Sequence, residues 1–212
     1  YTKSAQCGIF SAKRLRPTIS LDRMNKIHIT FFSILLLFIL ADSINLSAAP
    51  VVVLEEGNGY YPIGLNLEYL EDKEKKWTIN DITSQELSIR FQDSTQKTLN
   101  FKYSASNIWV RFTLKNPSNT ERRVLLEHSH PFMNKVNFFL VDLNSVIISK
   151  KSGILAERNE RDVFDRNHIF SLVLQPNSEI TTYLCFSNTG RMYIPLTIWD
   201  TLDFIKKIQV NS

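Results

Sequence analysis

The chain is poor in the residues that carry compact motifs. Its two cysteines, Cys7 and Cys185, stand in unrelated contexts, and neither has a second Cys close by. A disulfide framework and a cysteine zinc site both lose support. Six Gly and seven Pro in 212 residues, with 43% hydrophobic and 22% charged residues, exclude a collagen-like or disordered chain and fit an ordinary globular one. A phosphate-cradling glycine loop, a G-x-S-x-G elbow and an H-E-x-x-H pair are all missing. A basic face is missing too. The formal charge of +4 comes from the residues before Pro50, where Lys3, Lys13, Arg14, Arg16, Arg23 and Lys26, all within the first 28, stand against Asp22 and Asp42. From Pro50 onward, 19 Lys and Arg balance 19 Asp and Glu, which removes the main argument for nucleic-acid binding.

What is present begins with an export signal. Met24 and Lys26 precede an apolar run from Ile29 to Ala41, the length of a signal-peptide core and short of the roughly 20 residues of a membrane span. Ser47, Ala48 and Ala49 offer small residues for cleavage, although Pro50 disfavours a cut directly after Ala49, so a retained N-terminal anchor is the alternative. Residues 24–49 therefore read as a signal peptide or anchor, and residues 1–23 as an upstream artefact or unstructured leader. The protein is expected to be exported, to the periplasm or beyond.

The exported part is rich in β-formers. Residues 50–63, with "GNGYYPIG" at 57–64, read as a linker, and "LNLEYLED" (65–72) as a strand ending in a charged turn. "TSQELSIRF" (83–91) predicts a short helix, with Thr83 and Glu86 spaced as a capping box. In "NFKYSASNIWVRFTLKNPSN" (100–119), Ile108, Val110, Phe112 and Leu114 alternate with Trp109, Arg111, Thr113 and Lys115, a period of two. Further strands are expected at 122–129, in a hairpin over 135–149 turning at Asp142 to Ser145, at 168–174 and 179–187 around "QPNS", and at 192–199. Many short strands spaced by turn residues predict an all-β fold, an antiparallel β-sandwich or jelly roll. "WDTLDFIKKIQVNS" begins an amphipathic helix.

Three groups compete as sites. Trp109 and Arg111 occupy the side of their strand that the aliphatic residues avoid. An aromatic beside a guanidinium suits a sugar or a carboxylated ligand; alternatively the two stack together or a neighbouring segment covers them. His128 and His130 share a strand face and suggest metal, but nothing nominates a third ligand, so partly exposed histidines ending a strand are the plainer reading. Glu157, Glu160, Asp162 and Asp165 interleave with Arg158, Arg161 and Arg166, as in a solvated loop.

The order "LNFKYSASNIWVRFTLKNPS", "LLEHSHPFMNKVNFFLVD", "SGI", Arg166 and "YLCFSNTGRMYIPLTIW" resembles the second type of extracellular domain of bacterial seven-transmembrane receptors with diverse intracellular signalling modules, over Gly64 to Trp199. Leu99, Asn100, Phe101, Trp109, Arg111, Phe112, Pro131, Gly153 and Arg166 match the family pattern. Lys102 stands where glycine is usual, Ser152 and Ile154 depart from the threonine-glycine-aspartate turn, and Cys185 and Phe186 replace arginine-valine.

The resemblance implies a jelly roll similar to carbohydrate-binding modules over residues 64–199, with residues 200–212 starting a juxtamembrane helix. It implies a sensor for a carbohydrate or small carboxylated ligand, coupled to a membrane-embedded signalling region, with no enzymatic activity and no cofactor. Trp109, Arg111 and Arg166 are the expected ligand-binding residues, and no metal site is expected. A stand-alone exported glycan-binding or adhesion module is the alternative.

Overall fold

The period-two strand Asn107–Asn116 organises the molecule, and its neighbours follow from what it must bury. The computed structural model describes residues 50–142 and 145–210, giving only the backbone path at 142, 145–147 and 158. The expected signal peptide, the residues before it and the 143–144 turn lie outside the described residues. In chain order the elements are β1 (Val51–Val53), β2 (Tyr60–Pro62), β3 (Glu68–Asp72), α1 (Ile79–Ile82), α2 (Gln85–Ser88), β4 (Gln92–Asp93), β5 (Leu99–Tyr103) and β6 (Asn107–Asn116). Then come β7 (Arg122–His128), β8 (Lys135–Asp142), β9 (Ser145–Ser152), β10 (His168–Leu174), β11 (Ser178–Ser187), β12 (Arg191–Ile194), β13 (Leu196–Asp200) and α3 (Thr201–Val210).

Two sheets face each other as an antiparallel β-sandwich. The larger runs β4-β3-β6-β11-β8-β9, with β1 added in parallel along β6; the smaller runs β10-β7-β13-β2. The two layers are closed by Ile108, Val110, Phe112 and Leu114 of β6, all 0% exposed, and by facing residues such as Leu126, Phe170 and Ile198. Phe138 and Phe170 stack across the gap, centroids 4.9 Å apart. Each such side chain contributes about 1.5–3 kcal/mol by leaving water, so the alternation of β6 fixes its register.

Several segments depart from the sequence expectation for local reasons. Residues 50–63 are not a linker: β1 pairs with β6, Leu54 is fully buried, and β2 pairs with β13. Leu65 belongs to a short 3-10 turn, and the strand starts at Glu68. Pro195, lacking an N–H, splits the last expected strand into β12, paired with β5, and β13, paired with β7 and β2. β10 and β11 lie in different sheets, and Asn177 takes the left-handed conformation between them (φ 50°). The one helix expected near residues 83–91 is two. Thr78 and Asp81 form the capping box of α1, Ser84 caps α2, and Thr83 instead ends α1, donating its hydroxyl to the Ile79 carbonyl.

His128 ends β7 on the inward side and is fully buried, not partly exposed as expected. Its ring stacks on His168, 5.5 Å away at 16°, and its Nε2 bonds the Tyr193 carbonyl at 3.1 Å. Ser152 Oγ bonds His168 Nδ1 at 2.9 Å. Burial, reinforced by the neighbouring His168, pushes His128 down from 6.5 to about 3; burial and then Arg161 push His168 down to about 4.

Two backbone positions carry their own predictions. Arg191 opposes Tyr103 and Tyr193 opposes Asn100, so Phe101 and Lys102 together face Met192 in a bulge. Lys102 sits there at φ 56°, a conformation that suits glycine, which is the residue usual in the pattern noted above. Gly153 has φ 127°, and a Cβ would lie 2.3 Å from the Asn134 carbonyl oxygen. Lys102→Gly should therefore stabilise the fold by about 1 kcal/mol, whereas Gly153→Ala should cost about 2 kcal/mol or more. Urea unfolding checks both, and a loss on Lys102→Gly would contradict the bulge assignment.

The histidine stack makes stability depend on pH. Both rings bind protons near pH 6.5 when unfolded but only near 3 and 4 when folded, so the unfolded state holds more protons between those limits. Their contribution is complete above about pH 6.5 and is lost as pH falls; at about pH 5 His128 alone costs about 2 kcal/mol. The urea midpoint should drop between about pH 7.5 and about pH 5, and His128→Gln should flatten that drop. Identical pH dependence in the variant would contradict it.

Candidate functional site

The strand face that carries Trp109 and Arg111 is closed. The two residues are 3% and 2% exposed, because residues 77–91 fold over the outer side of the large sheet. Asp72 starts that cover by accepting the Lys76 and Trp77 N–H groups at 3.3 and 3.0 Å. Ile82, Leu87 and Phe91 then pack with Leu70, Trp109, Tyr183 and Cys185 into a second apolar cluster. Arg111 donates from Nε and Nη2 to the two oxygens of Glu68 at 2.6 and 3.0 Å, and from Nη1 to Ser88 Oγ at 2.6 Å. Its guanidinium lies 4.3 Å from the Phe91 ring centroid. Trp109 stacks on Phe139, centroids 6.0 Å apart.

Glu68 is 1% exposed, so this is a fully desolvated bidentate pair, held in place by the cover. The expectation of an open aromatic and guanidinium surface is thus corrected: the period of the strand was right, but sequence-distant helices occupy the side it left free. Cys185 joins this cluster, and burial pushes its thiol up to about 12, which makes it an inert core residue.

Arg166, the third expected residue, lies on the opposite side of the sandwich, exposed at the rim of a cleft of about 480 Å³ over the smaller sheet. Glu127 also lines that cleft. Val124, Leu126 and His128 of β7 point inward, which turns Glu127 to the outer face, yet it is only 2% exposed. Asn167 Nδ2 donates to Oε1 at 2.6 Å and Trp199 Nε1 to Oε2 at 2.8 Å, while Lys207 Nζ bonds both oxygens at 2.5 Å. The carboxylate therefore accepts from three donors on three separate segments. Tyr60, half exposed, packs against Trp199 with centroids 4.6 Å apart. The cleft combines an aromatic wall, an anchored carboxylate and a guanidinium at the mouth, the mixture that orients small polar ligands.

Glu127, Asn167, Trp199 and Lys207 were not legible as a group. A lone acid on a strand's outer face reads as solvent-exposed, and only the return of β13 and α3 brings its partners. Phe204, 3% exposed, seats α3 on the sheet, and Asp200 Oδ1 accepts the Leu202 N–H at its start. The acidic loop behaves as a set of local pairs: Asp162 with Lys150 and Ser171, and Glu160 with Lys151 and the Glu157 backbone. No group of three or more His, Cys, Asp or Glu placed to hold a metal occurs among the described residues. No helix among them is long and apolar enough to cross a membrane.

No curated protein matches this chain. Among solved structures it is similar to a GH31 alpha-xylosidase (Xac1773) from Xanthomonas citri, at 12% identity and a TM-score of 0.30. That match covers 63% of this chain and 15% of the enzyme, and bears on neither fold nor function. The family profile described as 7TMR-DISM extracellular 2 matches residues 64–200, the sandwich without β1 and β2, from the 3-10 turn after β2 to the end of β13. The chain belongs to the 7TMR-DISM extracellular 2 family and carries an extracytoplasmic sensor domain of the transmembrane-receptor type.

Proposed function

We propose that this domain senses a small carbohydrate or carboxylated ligand in the cleft over the smaller sheet, as a binding module and not an enzyme. The carrying observation is the convergence of Tyr60, Trp199, Glu127 and Arg166 on one cleft while Trp109 and Arg111 are sealed elsewhere. Tyr60 and Trp199 supply flat apolar faces for a sugar ring. Arg166 makes no hydrogen bond or ion pair within the described residues, so its guanidinium is available to take a carboxylate in bidentate fashion. Glu127, held from three sides, is a rigid acceptor for ligand donors.

To signal, the ligand must favour one arrangement of the domain over another. In this reading the output passes to a membrane-embedded signalling region in the full-length receptor, after export directed by residues 24–49. Nucleic acid has no place in it, because the charge from Pro50 onward is balanced.

Titration calorimetry with glucuronate and with glucose tests the cleft. Glucuronate should bind the more tightly, Arg166→Ala should weaken it roughly tenfold with unchanged thermal stability, and Trp109→Phe should leave it unaltered. Binding that is lost in Trp109→Phe but kept in Arg166→Ala would return the site to the large sheet and overturn the assignment.

A further inference from the structure

The contact between Lys207 and Glu127 is built like a ligand in its site. The carboxylate is almost wholly buried and receives the ammonium at 2.5 Å on both oxygens. The same ammonium lies 5.1 Å from the Trp199 ring centroid and 5.2 Å from that of Phe204. A carboxylate with aromatic faces around a cation is how proteins hold an ammonium group. The Lys207 side chain is 28% exposed and opens onto the cleft, so the position is reachable from solvent.

What brings the ammonium there is α3, whose other attachments are few. Of its ten residues only Phe204 is buried, whereas Leu202, Ile205, Ile208 and Val210 are 68%, 45%, 42% and 85% exposed. The Lys206–Asp203 pair lies within the helix, and the Asp203 carboxylate packs against Gly59 ahead of β2. At its start Thr201 Oγ1 donates to the Arg123 carbonyl and fixes only the first turn. Beyond these, Phe204 and Lys207 join the last turns to the sheet.

We infer that Glu127, Trp199 and Phe204 form an ammonium site in which Lys207 is a resident occupant, and that a ligand bearing a primary ammonium displaces Lys207 and frees the C-terminal half of α3. This rests on the reading of the cleft as the ligand site and adds to it a ligand group and a route outward. Ligand and helix compete for one carboxylate, so occupancy of the cleft and docking of α3 become alternatives. A small ligand competes against a tethered side chain whose effective concentration is of the order of millimolar. It succeeds by adding contacts that Lys207 lacks, such as a carboxylate on Arg166 at the mouth. Exchange of one occupant for another also avoids leaving Glu127 buried without a cation, the costly state.

Chemical rescue separates these elements. In Lys207→Ala the missing atoms are those of n-propylammonium, so that cation is the probe, with sodium chloride at equal ionic strength as control. Lys207→Ala should lower the melting temperature and speed amide hydrogen exchange in residues 204–210 roughly tenfold, with β7 and β13 unchanged. Propylammonium should restore the melting temperature but not the protection of residues 204–210, because it fills the site without holding the helix. Glu127→Gln with Lys207→Ala should lose the rescue. Lys207→Gln, which keeps half of the stem and a neutral donor, provides a milder variant for the exchange measurement. The rescue does not involve Arg166 and should persist in Arg166→Ala, so a failed glucuronate titration and a failed rescue are separate results. Equal rescue by sodium chloride, no rescue at all, or unchanged exchange in residues 204–210 of both variants would overturn the inference.

Discussion

The bidentate pair between Arg111 and Glu68 is the constraint around which the large sheet is arranged. A guanidinium and a carboxylate that are 2% and 1% exposed would each cost several kcal/mol alone, and together they are tolerable only with near-ideal geometry and their remaining donors satisfied. β3 supplies the geometry by placing Glu68 directly opposite Arg111 in the ladder. Ser88 at the end of α2 takes a further donor, and Phe91 covers the guanidinium plane. The pair thus fixes β3 against β6 and determines where α1 and α2 must lie.

This has a functional consequence. With the outer side of the large sheet closed around Trp109 and Arg111 by the cover, the ligand site we propose lies on the outer side of the smaller sheet, where Glu127 plays the opposite electrostatic role. Glu68 is matched by a cation from a neighbouring strand, permanently. Glu127 is matched by a cation carried on α3, whose one buried side chain is Phe204. One carboxylate is architecture; the other is an acceptor whose partner can be exchanged. Trp109, Arg111 and Phe112, on which the resemblance partly rested, belong to the architectural half.

The sequence carried most of the strands and little of the site. The alternation from Ile108 to Leu114 gave the inner face of β6 because burial on that side follows local periodicity. It could not say that Trp109 and Arg111 were buried as well, since what covers them lies 18 or more residues away, in residues 68–91 and at Phe139 and Tyr183. Residues 50–63 looked like a linker because Gly57, Gly59 and Pro62 dominate their composition. Yet Val52 and Leu54 are core, and β2 completes a sheet by pairing with a strand 135 residues later. The resemblance supplied Arg166, which composition alone had left in a solvated loop. Lys102 and Gly153 show a backbone requirement legible from a glycine-bearing pattern even where the glycine is replaced.

A double-mutant cycle on Glu68→Gln and Arg111→Met, followed by urea unfolding, tests most directly whether the pair holds the cover in place. Each single variant leaves a buried group without its partner and should lose about 3–5 kcal/mol, with the double variant losing clearly less than the sum. Single losses below about 1 kcal/mol that simply add, the behaviour of an exposed ion pair, would contradict a sealed outer face and restore Trp109 and Arg111 as an accessible surface.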